Sequence, residues 1–137
     1  MFKLTKIEGG RINVFEPQKL PVVKTADIES GQALNLNANG VLESATSGKP
    51  TFIALSANYV IIDGVKKYLN EIAVGRVEPN QLYEVPVTAA PTSLKVGNKV
   101  TLSEGTKVTT TTTSGVAEIV SLNGATKAGD TVIVRFS

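Results

Sequence analysis

Cysteine, histidine and tryptophan are all missing from this chain of 137 residues. Without cysteine there is no disulfide framework, no thiolate nucleophile and no cysteine-held metal. Without histidine the usual general base and the commonest metal ligand are gone as well. The aromatic residues are four Phe and three Tyr, spread singly along the chain. Their scarcity weakens the case for a surface that recognises sugars or bases by stacking. No stretch approaches the roughly 18 consecutive apolar residues that a membrane-spanning helix needs. The N-terminal MFKLTKIEGGRINVFE lacks the apolar core of a secretory signal, so no export is expected from it. The formal net charge of +2 is too small to argue for nucleic acid. Neither nucleic acid nor a membrane is therefore expected as a partner, and no cofactor is expected either. The charge is mildly segregated: residues 1–24 carry five Lys/Arg against two acids, and residues 25–90 carry four against seven.

What remains is a succession of short strands and turns, in a length that suits one domain with a real core. Two β-rich runs flank Gly9-Gly10, a two-residue hairpin signal. Leu34 and Leu36 alternate with polar residues before Asn39-Gly40, and VLESAT returns towards Ser47-Gly48. TFIALS reads as a buried strand. In ANYVIIDGVKKYLNEIAVGRV the Val-Ile-Ile and Ile-Ala-Val runs favour strands, with Asp63-Gly64 as a turn; a single helical turn over 65–69 is the competing reading. The run of Thr109 to Thr113 suits either a strand with two modestly polar faces or a Thr-rich loop. In DTVIVRF, Val132, Val134 and Phe136 share one face. Turns at this spacing imply an all-β sandwich or small barrel.

The chain also says nearly the same thing twice. Gly31 falls on Gly97, Leu34 on Val100, Leu36 on Leu102, Asn39-Gly40 on Glu104-Gly105, Ser47-Gly48 on Ser114-Gly115, and Ile53-Ala54 on Ile119-Val120. The closing strands correspond loosely, VEPNQLYEVPV with TKAGDTVIVRF. Two similar strand-turn-strand units are expected, because one such unit cannot bury its apolar face alone. The expected division is an N-terminal hairpin or arm over 1–23, a first β unit over 24–90 and a second over 91–137, in a single compact domain.

Chemistry is sparse. SGKPT has a Gly-Lys pair but lacks the upstream glycine of a phosphate loop, and Pro50 breaks the helix such a loop would open. No spacing selects a pair of carboxylates for acid–base work, and the serines have no base. An enzyme is not expected. The one place where aromatics and lysines converge is the loop of Tyr59, Asp63, Lys66, Lys67 and Tyr68, a candidate protein contact.

The phrasing ADIESGQALNLNANGVLESATSGKPTFIAL, followed by IAVGRVEPNQLYEVPV and GNKVTLSEGTKVTTTTTSGVAEIVSLNGATKAGDTVIVRF, resembles the small head-decoration (capsid cement) proteins of tailed bacteriophages. The resemblance covers about residues 24–137 and rests on turns and apolar positions. It implies a non-enzymatic virion protein that binds the major capsid protein on the outside of the expanded capsid and reinforces it, present in the host cytoplasm before assembly. It further implies a homo-oligomer, with a trimer favoured over a dimer or monomer. An N-terminal arm from Met1 to about Phe15 often makes the contact in such proteins, which here singles out Lys3, Lys6, Arg11 and Phe15. A tail or fibre module binding host glycan or protein is the alternative.

Overall fold

The computed structural model describes residues 1–8 and 17–136. The chain is all-β, as its turn spacing implies, with no helix among the described residues. The strands of the first half are β1 (Lys3–Ile7), β2 (Gln18–Pro21), β3 (Ala33–Leu36), β4 (Leu42–Ser44), β5 (Phe52–Ala54), β6 (Tyr59–Ile62), β7 (Val65–Tyr68) and β8 (Glu71–Arg76). Those of the second are β9 (Gln81–Pro86), β10 (Lys99–Val100), β11 (Leu102–Ser103), β12 (Lys107–Val108), β13 (Ala117–Ser121) and β14 (Thr131–Phe136). They form two five-stranded antiparallel sheets, ordered β2-β8-β5-β3-β4 and β1-β9-β14-β13-β10, and two hairpins, β6-β7 and β11-β12. The architecture is that of a small β-sandwich, built from curled sheets that stop short of closed barrels.

The repeat is visible in the strand pairing. In the first sheet Pro21, Leu20, Lys19 and Gln18 face Glu71, Ile72, Ala73 and Val74. In the second, Pro86, Val85, Glu84 and Tyr83 face Thr131, Val132, Ile133 and Val134 in the same order. In each unit one isolated parallel bridge follows the first strand: Val22, just after β2, with Leu42 of β4, and Val87, just after β9, with Val108 of β12. One main-chain bond seals each bridge: the Val23 N–H donates to Leu42 at 3.0 Å and the Thr88 N–H to Val108 at 2.9 Å. The strand pairing therefore starts each repeat at β2 and β9, ahead of residues 24 and 91 where the turn pattern starts them. Of the N-terminal hairpin or arm, residues 9–16 lie outside the described residues, while β1 belongs to one sheet and β2 to the other.

The cores repeat residue by residue. The first unit buries Val22, Ile28, Leu34, Leu42, Phe52, Ala54, Ile72 and Val74 together. At the equivalent positions the second buries Val87, Leu94, Val100, Val108, Ala117, Ile119, Val132 and Val134. The ladders put Phe52 opposite Arg76 and Ala54 opposite Val74, and Ala117 opposite Phe136 and Ile119 opposite Val134. Ile119 thus corresponds to Ala54, one residue away from the pairing suggested by apolar matching, which set Ile53-Ala54 on Ile119-Val120. The reason is an exchange of bulk: large-then-small (Phe52, Ala54) in one unit becomes small-then-large (Ala117, Ile119) in the other, which roughly conserves the volume filled.

The turns that lead into β3 and β10 are built alike. The Glu29 N–H donates to the side-chain carbonyl of Gln32 at 3.1 Å, and the Lys95 N–H to that of Asn98 at 2.8 Å. Gly31 and Gly97 occupy the third position at φ 88° and 93°, a conformation that glycine adopts without strain. Glu78–Gln81 and Lys127–Asp130, ahead of β9 and β14, make the same side-chain closure at 2.9 and 3.2 Å.

The two units meet main chain to main chain. The turn between β11 and β12 docks on the first unit: the Ala33 N–H donates to Gly105 at 2.8 Å, the Glu104 N–H donates to Thr46 at 3.1 Å, and the Ser44 hydroxyl donates to the Glu104 carbonyl at 2.6 Å. The N-terminus ties the same seam, with the Phe2 N–H on Gly31 at 2.8 Å and the Met1 ammonium on the Thr106 carbonyl at 2.7 Å. Burial lowers the pKa of that ammonium, helped by the nearby charge of Lys107. Phe2, Tyr83 and Phe136 pack as a buried trio with ring centres 5.4 to 6.2 Å apart.

A methyl group at Gly105 would sit 2.5 Å from the Ala33 carbonyl oxygen, whereas one at Gly40 meets nothing within 4 Å. Both glycines have positive φ. Gly40→Ala is therefore expected to cost only the left-handed strain, about 1–2 kcal/mol. Gly105→Ala adds a main-chain clash to that strain and should cost clearly more. Urea unfolding of the two variants checks the order, and equal losses would contradict this account of the seam.

Candidate functional site

The units differ most where the fifth-position strand turns back. In the second unit β13 runs to β14 through residues 122–130; at the same place the first unit carries the hairpin β6-β7. Its sequence dictates the shape. Asp63 and Gly64 take φ 51° and 78°, the left-handed pair of a tight two-residue hairpin turn. β-branched residues fill the flanking strands, in the register Tyr59–Tyr68, Val60–Lys67, Ile61–Lys66 and Ile62–Val65. The helical turn over 65–69 is not formed.

Alternation sorts the side chains. Tyr59, Ile61, Lys66 and Tyr68 share the face turned towards the Asp27–Glu29 segment; Val60, Ile62, Val65 and Lys67 share the other. The first face is anchored. The Tyr59 hydroxyl donates to Glu29 at 2.6 Å, the Tyr68 hydroxyl to Asp27 at 2.7 Å and the Lys66 ammonium to Asp27 at 2.5 Å. Lys66 also lies 4.5 Å from the Tyr59 ring centre, a cation–π distance. These bonds hold the Asp27 carboxyl below its ordinary pKa, chiefly through Lys66 and then Tyr68. Lys66 is raised by its bond to Asp27, Tyr59 by its bond to Glu29 and Tyr68 by its bond to Asp27.

Beneath the hairpin, Asn58 is fully buried and fully satisfied. Its side-chain carbonyl accepts the Ile28 N–H at 2.8 Å, and its amide donates to Val23 and Ala26 at 2.9 Å each. Its main chain bonds Ile28 at 3.1 Å and Leu69 at 2.8 Å. One side chain thus fixes both the foot of the hairpin and the loop that supplies Asp27.

The other face has no such cover. Val60, Ile62 and Val65 on it are 41, 49 and 57% exposed; Ile61, on the anchored face, is 64% exposed, and with Tyr68 these are five of the eight large exposed hydrophobic residues among those described. Water ordinarily drives such side chains inward, so a cluster held out on an anchored hairpin makes this face the candidate contact surface.

Of the residues singled out in the sequence, Tyr59, Lys66 and Tyr68 come together as the anchored face, Lys67 lies on the opposite face and Asp63 sits at the turn. Lys3 and Lys6 are exposed on β1; Arg11 and Phe15 lie outside the described residues. Sequence reasoning missed Val60, Ile61, Ile62 and Val65, because an apolar run ordinarily signals burial. It also missed Asn58. A shallow groove of about 660 Å³ runs between the Asp27–Glu29 loop, Glu43–Thr46 and the Glu104–Thr106 turn. Among the described residues no three carboxylates gather as metal ligands. No protein-family model matches the chain, and no curated protein matches its sequence.

Asn58→Ala would strand the buried Ile28 N–H and two carbonyls, so a loss of about 3 kcal/mol is expected by urea unfolding; a loss below about 1 kcal/mol would contradict the clamp. The anchor also has a defined pH window. Because the folded-state pKa of Asp27 is depressed, its contribution is complete above the unfolded value of about 3.9 and is lost as pH falls through the lowered folded one. The raised Tyr and Lys66 values keep it intact to about pH 10. The Tyr68 ring resonances should stay constant from about pH 5 to 9 and shift only in stronger acid, whereas Asp27→Asn should displace them at neutral pH.

Proposed function

We propose that the protein is a non-enzymatic virion component that binds the outer surface of the expanded bacteriophage capsid and stabilises it, with the outward face of the β6-β7 hairpin as the contact. The observation that carries this reading is the exposed apolar face of Val60, Ile62 and Val65, held on a hairpin fixed by Asn58, Asp27 and Glu29. The resemblance of residues 24–137 to capsid cement proteins supplies the partner, the major capsid protein. The physics suits such a role. A cement protein works by area, through shallow contacts that add up over many copies. A contact element ordered before binding loses little conformational entropy on docking. On this reading the protein accumulates in the host cytoplasm and ends on the virion exterior.

Co-sedimentation with expanded, decoration-free heads, with unexpanded proheads as control, tests the reading. Saturable binding at a fixed copy number per capsomer, on expanded heads alone, is expected. Burying a Val or Ile side chain is worth about 1.5–3 kcal/mol when complete, and Ile62 and Val65 are roughly half exposed beforehand. The double variant Ile62→Ser, Val65→Ser should therefore lose about 1 kcal/mol per residue, about 2 kcal/mol in all or thirtyfold in affinity, with the fold unchanged. Absence of binding to either form of head, or full binding by the double variant, would overturn the reading.

A further inference from the structure

The hairpin has an edge as well as a face. Leu69 N–H donates to Asn58 at 2.8 Å while the Asn58 N–H goes to Ile28, and that one bond sets the phase of the ladder, with 58–69 at a hydrogen-bonded position. In an antiparallel ladder such pairs alternate, so with the observed register 60–67 and 62–65 bond within the hairpin. The main-chain groups of Tyr59 and Ile61 then point out of the β6 edge, and those of Lys66 and Tyr68 out of the β7 edge. Among the described residues, nothing outside the hairpin hydrogen-bonds to the main chain of residues 59–68.

The edge strands of three residues or more are guarded everywhere else. β1 carries Lys3, Lys6 and a bulge between Leu4 and Lys6; β2 carries Lys19 and Pro21; β4 carries Glu43; β7 carries Lys66 and Lys67. Charges, prolines and bulges are the devices that stop strand edges from pairing with other chains. β6, Tyr-Val-Ile-Ile, has none of them.

We infer that β6 is a pairing edge for β6 of a second copy of this chain, joined antiparallel about a two-fold axis beside Val60. The register follows from the outward groups. Tyr59 of one copy exchanges both main-chain bonds with Ile61 of the other, and Val60 stands opposite Val60 in the intervening pair, at a Cα separation of about 4.5 Å. The side-chain pairs so formed, aromatic against β-branched and valine against valine, are favourable cross-strand neighbours. The self-complementary register of the uncharged β6 edge points to a like copy, and the charge pattern to a stop at two: the lysines of β7 fall on the two far edges of the resulting four-stranded sheet, where they resist further addition. Both outward faces then lie on the same side, so that Val60, Ile62 and Val65 of the two copies form one continuous apolar surface. A four-residue strand pair buries far less than the roughly 800 Å² per partner of a standard stable interface, so the dimer is weak and visible at high concentration. The inference does not depend on the capsid reading, since association is measured with no heads present.

Sedimentation equilibrium of the full chain, over micromolar to millimolar concentrations, is the test. The average mass should rise from 14.4 kDa towards double that value. Val60→Lys and Val60→Glu each place like charges face to face across the axis, and each alone should stay monomeric. Mixed in equal amounts, the two should dimerise again. Val60 is 41% exposed in the monomer, so both variants keep the fold, as circular dichroism will verify. A wild-type chain that stays monomeric at millimolar concentration, a dimer that survives Val60→Lys, or a mixture that fails to reassociate would each overturn the proposal. A Val60→Lys dimer would move the contact to another surface.

Discussion

Backbone docks on backbone at the centre of this molecule. The Glu104-Gly105 turn of the second unit lies so close to the Ala33 carbonyl that no side chain fits between them, and the Ala33 N–H, Ser44 hydroxyl and Thr46 carbonyl complete the contact. Such an approach needs small residues on both sides; Ala33 and Ala45 are buried there to 0 and 1%. The relation is not reciprocal. The corresponding turn of the first unit, Asn37–Val41, closes through a different set of bonds, and its Gly40 faces open space. The two similar units are therefore stacked in sequence, and the N-terminus ties the stack, Met1 at the surface and Phe2 within the core.

That arrangement explains what was free to diverge. Eight core positions are needed in each unit to fill the inside of a curled sheet, and they persist even where bulk has moved from one neighbour to another, as with Phe52 and Ala54 against Ala117 and Ile119. The connection between the fifth and eighth strands supplies none of those eight positions and touches them only at its foot, where Asn58 bonds Ile28 and Leu69 packs on the core. A hairpin can stand there in one unit and a short loop in the other at no cost to the core. Its cost is local: it needs a foot. Asn58 provides it by satisfying three main-chain groups at once, with none of its own polar atoms left unpaired among the described residues.

Much of this was legible in the sequence, and the reason is the turns. Gly31 and Gly97 announce the same conformation because few other residues tolerate a φ near 90°. The match of EPNQ with KAGD likewise reflects one side-chain closure made twice. Val132, Val134 and Phe136 lie on one buried face, as their alternation implies. The Thr run was open between strand and loop; only Lys107–Val108 pair, and Thr109 and Thr111 instead bond Thr101. Where each repeat begins was not legible. β2 pairs with β8 and β9 with β14 across most of a unit, and no local signal encodes so distant a partner. Nor was the exposure of Val60 to Val65 legible, because an apolar run is ordinarily evidence of burial.

The hairpin is where that ordinary inference fails, and the manner of the failure is informative. A strained or accidental exposure would be expected to relax, by folding the hairpin down onto the body or by carrying charge on the open strand. Here the side facing the body is polar and occupied: two tyrosines and a lysine are spent on Asp27 and Glu29. With its hydrogen-bonding side chains facing inward and three of its four aliphatic residues, Val60, Ile62 and Val65, facing outward, the hairpin has the reverse polarity of the sheets below it. Turning it over would forfeit the Tyr59, Tyr68 and Lys66 bonds to Glu29 and Asp27 and the Lys66–Tyr59 cation–π contact. The polarity of one loop, Asp27 to Glu29, thus sets which face of the hairpin is tied to the body and which carries Val60, Ile62 and Val65.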